Sequence, residues 1–147
     1  MNLYDPLCYT VNIEVNLPAP QAFEYLSDPQ KIGRWALGCF DTQPTRYDGL
    51  YKGTSLFDRS EAWVRVETDL VRLIIDYHVG DPNKQVPRIS TRVIPGEYYG
   101  KNSDHCIVIM TAWRMADMSD QRWHRLCVTH DAEILLIKSQ LEQQSEK

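Results

Sequence analysis

Four histidines and four cysteines hold the most reactive chemistry in this 147-residue chain. Cys127, His130 and Asp131 fall within one helical turn, where a thiolate beside an imidazole could act as a nucleophile. Side chains this close on a helix tend to point past one another, and a buried mid-helix cysteine is ordinarily inert. Asp76 and His78 form a second acid/base pair. Alternation along a strand puts them opposite Tyr77, so they compete with a bland reading as members of a solvated outer ladder. His124 and His130 stand six apart, about 240° around a helix, too far to share an ion. His78 and His105 could meet only by folding, and nothing else recommends them as ligands. No His-x-x-x-His, His-Glu-x-x-His or Cys-x-x-Cys is present, so no metal is expected. No phosphate-cradling glycine loop is present and no cofactor is expected; the Gly-x-Ser-x-Gly elbow of a serine nucleophile is also missing.

His130 stands out because it lies on an apolar stripe. Trp123, Leu126, Cys127, His130, Ile134, Ile137 and Leu141 recur at spacings of three and four, which predicts an amphipathic helix over 119–141. A buried neutral imidazole needs partners for both ring nitrogens, and an unmet polar group costs roughly 1–3 kcal/mol. Three readings follow: a core histidine satisfied by backbone or Tyr77, a ligand contact, and a general acid or base. The helix would be about 33 Å long, enough to cross a whole sheet.

The elements that must position His130 come before it in the chain. Val11, Ile13, Val15 and Leu17 alternate with Asn12, Glu14 and Asn16, the period of a half-buried strand. Pro18 and Pro20 end it and open a short helix over 21–26. Asp28 can cap a second short helix that begins at Pro29 and carries Ile32 and Trp35. Six β-rich runs follow, at 40–47, 54–58, 62–68, 73–79, 89–95 and 106–114. Their short breaks favour antiparallel neighbours. The order predicts an α+β domain with its helices on one face of a curved seven-stranded antiparallel sheet.

Parity then sorts the strands. Ala62, Val64 and Val66 oppose Arg65 and Glu67; Ile75, Tyr77 and Val79 oppose Asp76 and His78; Ile89, Thr91 and Val93 oppose Ser90 and Arg92. In 106–114 both faces are apolar, and Ile107, Ile109, Thr111 and Trp113 are assigned inward. The inward set holds a few groups that can hydrogen-bond. Trp35, Tyr77, Thr91, Thr111, Trp113 and His130 are therefore the expected ligand-binding residues, with Tyr77 and His130 orienting a polar end. Tyr98 and Tyr99, between Gly96 and Gly100, are either a mouth or a plain exposed loop.

Several of these segments together carry a family likeness. They are the first strand 9–17, the run Ala22-Phe23-Glu24-Tyr25-Leu26-Ser27-Asp28-Pro29, the following Ile32-Gly33-Arg34-Trp35, the hairpin with Gly49 and Gly53, and the terminal helix. In these the chain resembles the START-like (helix-grip) superfamily, and its polyketide cyclase/dehydrase-type lipid-transfer members in particular. The resemblance spans about residues 9–141, within one domain over 1–147. It implies a hydrophobic ligand held between the sheet and the long helix, as in a carrier or sensor. Second to that, it implies the alternative of a cyclase, aromatase or dehydratase using the same cavity, with His130 or Tyr77 moving protons. A third reading is a protein-interaction domain, such as a homodimer formed through Val108, Met110 and Ala112.

Bulk properties narrow the partners. Sixteen basic against twenty acidic residues give a net charge of -4, which argues against nucleic acid as partner. The longest apolar runs, 106–110 and 134–137, are far too short for membrane insertion. The start of the chain lacks the basic and apolar regions of a secretory signal, so a cytoplasmic location with unbridged thiols is expected.

Overall fold

The computed structural model describes residues 6–145. β1 (Cys8–Val15) leads into α1 (Ala19–Ser27) and α2 (Pro29–Ile32). β2 (Phe40–Pro44), β3 (Leu50–Thr54), β4 (Glu61–Asp69), β5 (Ile74–Gly80), β6 (Gln85–Pro95) and β7 (Cys106–Trp113) follow, and α3 (Asp120–Ser145) is the last described element. All seven strands lie in one antiparallel sheet ordered β1-β7-β6-β5-β4-β3-β2. The sheet is curved and α3 lies across it.

Local chemistry explains the element ends. Pro18 sits extended at φ -60°, ψ 141°, just ahead of α1. The Asp28 carboxylate accepts the Gln30 N–H at 3.0 Å and starts α2, the cap anticipated from the sequence. Gly49, at φ +74°, makes the β2–β3 turn in a region that favours glycine. The expected strand at 54–58 is a correction. Pairing ends at Thr54, because Ser55, Asp58 and Ser60 bond to their own loop: Ser55 Oγ accepts the Phe57 N–H at 3.2 Å and Asp58 Oδ1 accepts the Ser60 N–H at 3.0 Å. The helix runs on past Leu141 to Ser145, beyond the predicted end.

The core lies between the sheet and the helices. Val11, Val15, Val64, Ile75, Tyr77, Val93, Ile134, Ile137 and Leu141 are buried in it. α3 is anchored at its far end to β1: Lys138 Nζ donates to the Glu14 carbonyl at 2.7 Å, and the Asn16 N–H donates to Glu142 at 3.0 Å. Gln140 ties the same stretch to the first helices, accepting from the Tyr25 hydroxyl at 2.7 Å and donating to the Arg34 carbonyl at 2.8 Å. A smaller apolar cluster of Met118, Trp123 and Cys127 packs under the start of α3, with Tyr9 against it.

The inward parity of β4, β5 and β6 is as the alternation predicts, with Val64, Tyr77, Thr91 and Val93 buried. β7 corrects the expectation. Cys106, Val108, Met110 and Ala112 are fully buried, and Ile107, Ile109, Thr111 and Trp113 lie on the other face. The register gives the reason: Val11 pairs with Met110, Ile13 with Val108 and Val15 with Cys106, and directly paired residues share a face. Val108, Met110 and Ala112 are therefore core and offer no outer surface to a second copy.

Candidate functional site

A half-open pocket of about 660 Å³ opens between the sheet and the first half of α3. That volume is within the range of small-molecule sites, roughly 300–1,000 Å³. Its apolar wall comes from Ala62, Val79 and Ile89 of the sheet and from Met118 and Leu126. The β3–β4 loop closes one side with Ser55, Phe57, Asp58 and Ser60. That loop is braced at its base, where the Leu56 N–H donates to the Leu37 carbonyl at 2.9 Å.

His130 reaches this pocket from α3, and it is the one residue of the expected ligand set found in its lining. It is 2% exposed and its Nδ1 has no hydrogen-bond partner. Burial pushes the imidazole down to about 4, and the nearby Asp131 only partly opposes this, so the ring is neutral near pH 7. Nε2 stands 3.9 Å from the Glu133 carboxyl. Glu133 is 5% exposed and accepts the Leu37 N–H at 2.8 Å. Burial pushes its carboxyl up to about 8, against the pull of that hydrogen bond.

Trp35, Tyr77 and Thr91 face the same side of the sheet but are packed into the core. The Trp35 and Tyr77 rings meet edge-on at 5.8 Å, and the Tyr77 hydroxyl donates to the Leu26 carbonyl at 2.8 Å. Burial pushes the Tyr77 phenol above its ordinary range. Tyr77 and Thr91 are the next inward residues after Val79 and Ile89, so they continue the pocket wall into the core. The Trp35 indole N–H is buried without a partner. Thr111 and Trp113 are not brought to this site. The Thr111 hydroxyl meets that of Thr10 at 3.1 Å on the outer face, and Trp113 is paired with exposed Cys8.

The outer ladder is also where alternation puts it. Asp76 pairs with Glu67, and His78 Nε2 lies 3.4 Å from the Glu67 carboxylate. Tyr99 donates to Glu14 of β1 at 2.9 Å, so the Tyr98–Tyr99 turn sits away from the pocket and is no mouth for it. Among the described residues no cluster of three or more His, Cys, Asp or Glu side chains could hold a metal. No described helix is long and apolar enough to cross a membrane.

Sequence reasoning missed Arg88, in the pocket lining, and Glu133, which lies outside the lining but beside His130. Glu133 falls three residues after His130 and four before Ile137, which is the stripe's own spacing; its charge alone hid it. Arg88 had no such signal. Strand parity puts it outside with Ser90 and Arg92, yet it lines the pocket. The register explains this: Tyr77 pairs with Ile89 and His78 with Pro87, so Arg88 is the extra residue of a β-bulge. A bulge re-aims a side chain that alternation would send the other way.

No family model matches the sequence, and no curated protein is detectably similar to it. Solved structures are similar. A START superfamily protein from Mycobacterium smegmatis matches with a TM-score of 0.68 at 10% identity, covering 94% of this chain and 99% of its own. The Zhui aromatase/cyclase from Streptomyces sp. R1128 matches at 0.66 and 12% identity, covering 94% of each chain. XoxI from Bacillus cereus matches at 0.68 and 11% identity, over 91% of this chain and 94% of its own. At such identities the likeness is one of fold. With its strand order, its long closing helix and these matches together, the chain has a START-like, helix-grip fold of the polyketide-cyclase type.

Proposed function

We propose that the protein binds a small hydrophobic or aromatic molecule in the pocket between the sheet and α3, as a carrier or sensor. The observation that carries this reading is the pocket itself. It joins an apolar wall of Ala62, Val79, Ile89, Met118 and Leu126 to polar and charged side chains, and it ends on His130, a neutral, buried imidazole whose Nδ1 has no partner in the fold. An apolar hollow with a few convergent polar groups suits a ligand with one polar end. His130 would meet that end, with Tyr77, Thr91 and Trp35 supporting the wall behind it. A thermal-stability screen of hydrophobic and aromatic compounds tests this. A ligand at 100 times its Kd adds roughly 2.7 kcal/mol of stability. Ala62→Trp, which fills the pocket, is expected to abolish the shift for true hits. If every hit binds that variant as well as wild type, the assignment is wrong.

A second reading, a cyclase, aromatase or dehydratase, is favoured by one specific observation. His130 and Glu133 are held neutral one helical turn apart, with the carboxyl raised and the imidazole lowered. Paired groups whose environments drive their pKa values apart are what acid/base chemistry uses. Turnover with a bell-shaped pH profile, lost in both His130→Ala and Glu133→Gln, would support it. Turnover at wild-type rate in either variant would remove that residue from the mechanism.

A further inference from the structure

We infer that the ligand is an amphiphile with an oxyanion head, a carboxylate, sulfonate or phosphate, received at the pocket by Arg88 with Arg122 and Arg125. The inference rests on the ligand-binding reading above and names the chemical class of its ligand. Its first support is the concentration of guanidinium groups. Arg88, Arg122 and Arg125 all line the pocket in a chain whose net charge is -4. Among the described residues none of the three is in an ion pair.

The two carboxylates of the lining only partly offset the three guanidinium groups: Asp58 feels the Arg125 charge, but both carboxylates have partners of their own. Glu61 lies 3.5 Å from Lys52. Asp58 Oδ1 accepts both the N–H and the hydroxyl of Ser60, at 3.0 and 2.7 Å. Asp117 favours the charged form of Arg88, but it is outweighed by burial and by the Arg122 charge, which together hold Arg88 below its ordinary range. Arg125 lies over the Phe57 ring at 5.1 Å, which fixes its guanidinium beside an apolar surface.

Arg122 and Arg125 alone would read as the solvated face of a helix, and both are exposed. Arg88 does not fit that reading. The β6 bulge turns it from the outer face to the pocket, and its Nε is buried with no hydrogen-bond partner. A half-buried guanidinium with an unpartnered Nε and the Arg122 charge nearby is unfavourable in the empty fold. An oxyanion relieves both penalties at once, and the planar fork of Arg matches carboxylate, sulfonate and phosphate geometry. The apolar wall beside it requires that the anion carry a hydrophobic body.

Two probes with one ring skeleton test this: 8-anilinonaphthalene-1-sulfonate and its uncharged parent N-phenyl-1-naphthylamine, both followed by fluorescence. Inorganic phosphate is a third arm. We expect both probes to bind, with the sulfonate tighter by roughly tenfold or more, as charge-assisted hydrogen bonds imply. Arg88→Gln and, separately, Arg122→Gln should shrink that margin, weakening the sulfonate by a larger factor than the uncharged probe. Arg122 is exposed, so its variant keeps the test valid if Arg88→Gln misfolds. Equal affinities in wild type, unaltered by either variant, would overturn the anionic head and leave the ligand-binding reading standing. Failure of both probes to bind would count against that reading itself. Displacement of the sulfonate by phosphate alone, with no binding of the uncharged probe, would mean a site for free anions and would also overturn the amphiphile.

Discussion

Glu133 and His130 titrate in opposite senses for one reason, which is burial. Glu133 moves from its ordinary 4.5 up to about 8, and His130 from 6.5 down to about 4. Below 4.5 the Glu133 carboxyl is protonated folded or unfolded; as pH rises towards 8 only the unfolded chain ionises, and stability is lost. His130 works the other way: its contribution is complete above 6.5 and is lost as pH falls towards 4. Between 4.5 and 6.5 the two slopes oppose, and from 6.5 to 8 Glu133 acts alone. The urea midpoint of wild type should therefore fall over pH 6.5–8, by on the order of 1–2 kcal/mol in stability. Glu133→Gln keeps an acceptor for the Leu37 N–H and should flatten that decline. An undiminished decline in the variant would mean that another group carries it. At this scale the sequence was half legible. His130 could be found from the apolar stripe, whereas Glu133 shares the stripe but carries a charge that sequence reading takes for surface. Arg88 was hidden because one extra residue in a ladder reverses what parity says, and no residue type announces a bulge.

The elements were more legible than the residues, because hydrophobic period is a property of many side chains at once. β1, β4, β5, β6 and the α3 stripe each alternate cleanly enough to give their faces. β7 does not, since Ile107, Ile109 and Trp113 make its outer face as apolar as its inner one; only its register against β1 separates them. Mutation should show the same division. Met110→Ala, at a fully buried position, should cost roughly 2–5 kcal/mol, while Thr111→Val on the outer face should change stability by about 0.5 kcal/mol or less. Chemical denaturation of the two variants measures both. Comparable losses would put β7 back in the opposite orientation. β3 was misplaced for a different reason. Gly53 passes close to Cys39, where a Cβ would come within 2.7 Å of its sulfur, so the strand has to use a glycine that propensity counts against it.

For the molecule as a whole, the four cysteines report how tightly the fold is closed. Cys39, Cys106 and Cys127 are buried, and burial raises their thiols to about 11, 12 and 11, while Cys8 is exposed. A thiol-specific reagent near pH 8 should therefore modify one cysteine promptly in the native protein and all four in denaturant. Prompt reaction of two or more native thiols would mean that the sheet and α3 separate readily. The two margins of the sheet carry a further consequence. β2 is five residues long, its ladder is broken between Phe40 and Gln43, and it ends at Pro44, all of which discourage a newcomer. β1 has no such safeguard of its own and depends on Lys138 and Glu142, which occupy the Glu14 carbonyl and the Asn16 N–H. Clipping the chain ahead of residue 138 should thus do more than weaken it. It would strip the end of the β1 edge of both contacts, and the shortened protein should stack edge to edge into sedimenting, thioflavin-positive aggregates under conditions that keep the intact chain dispersed.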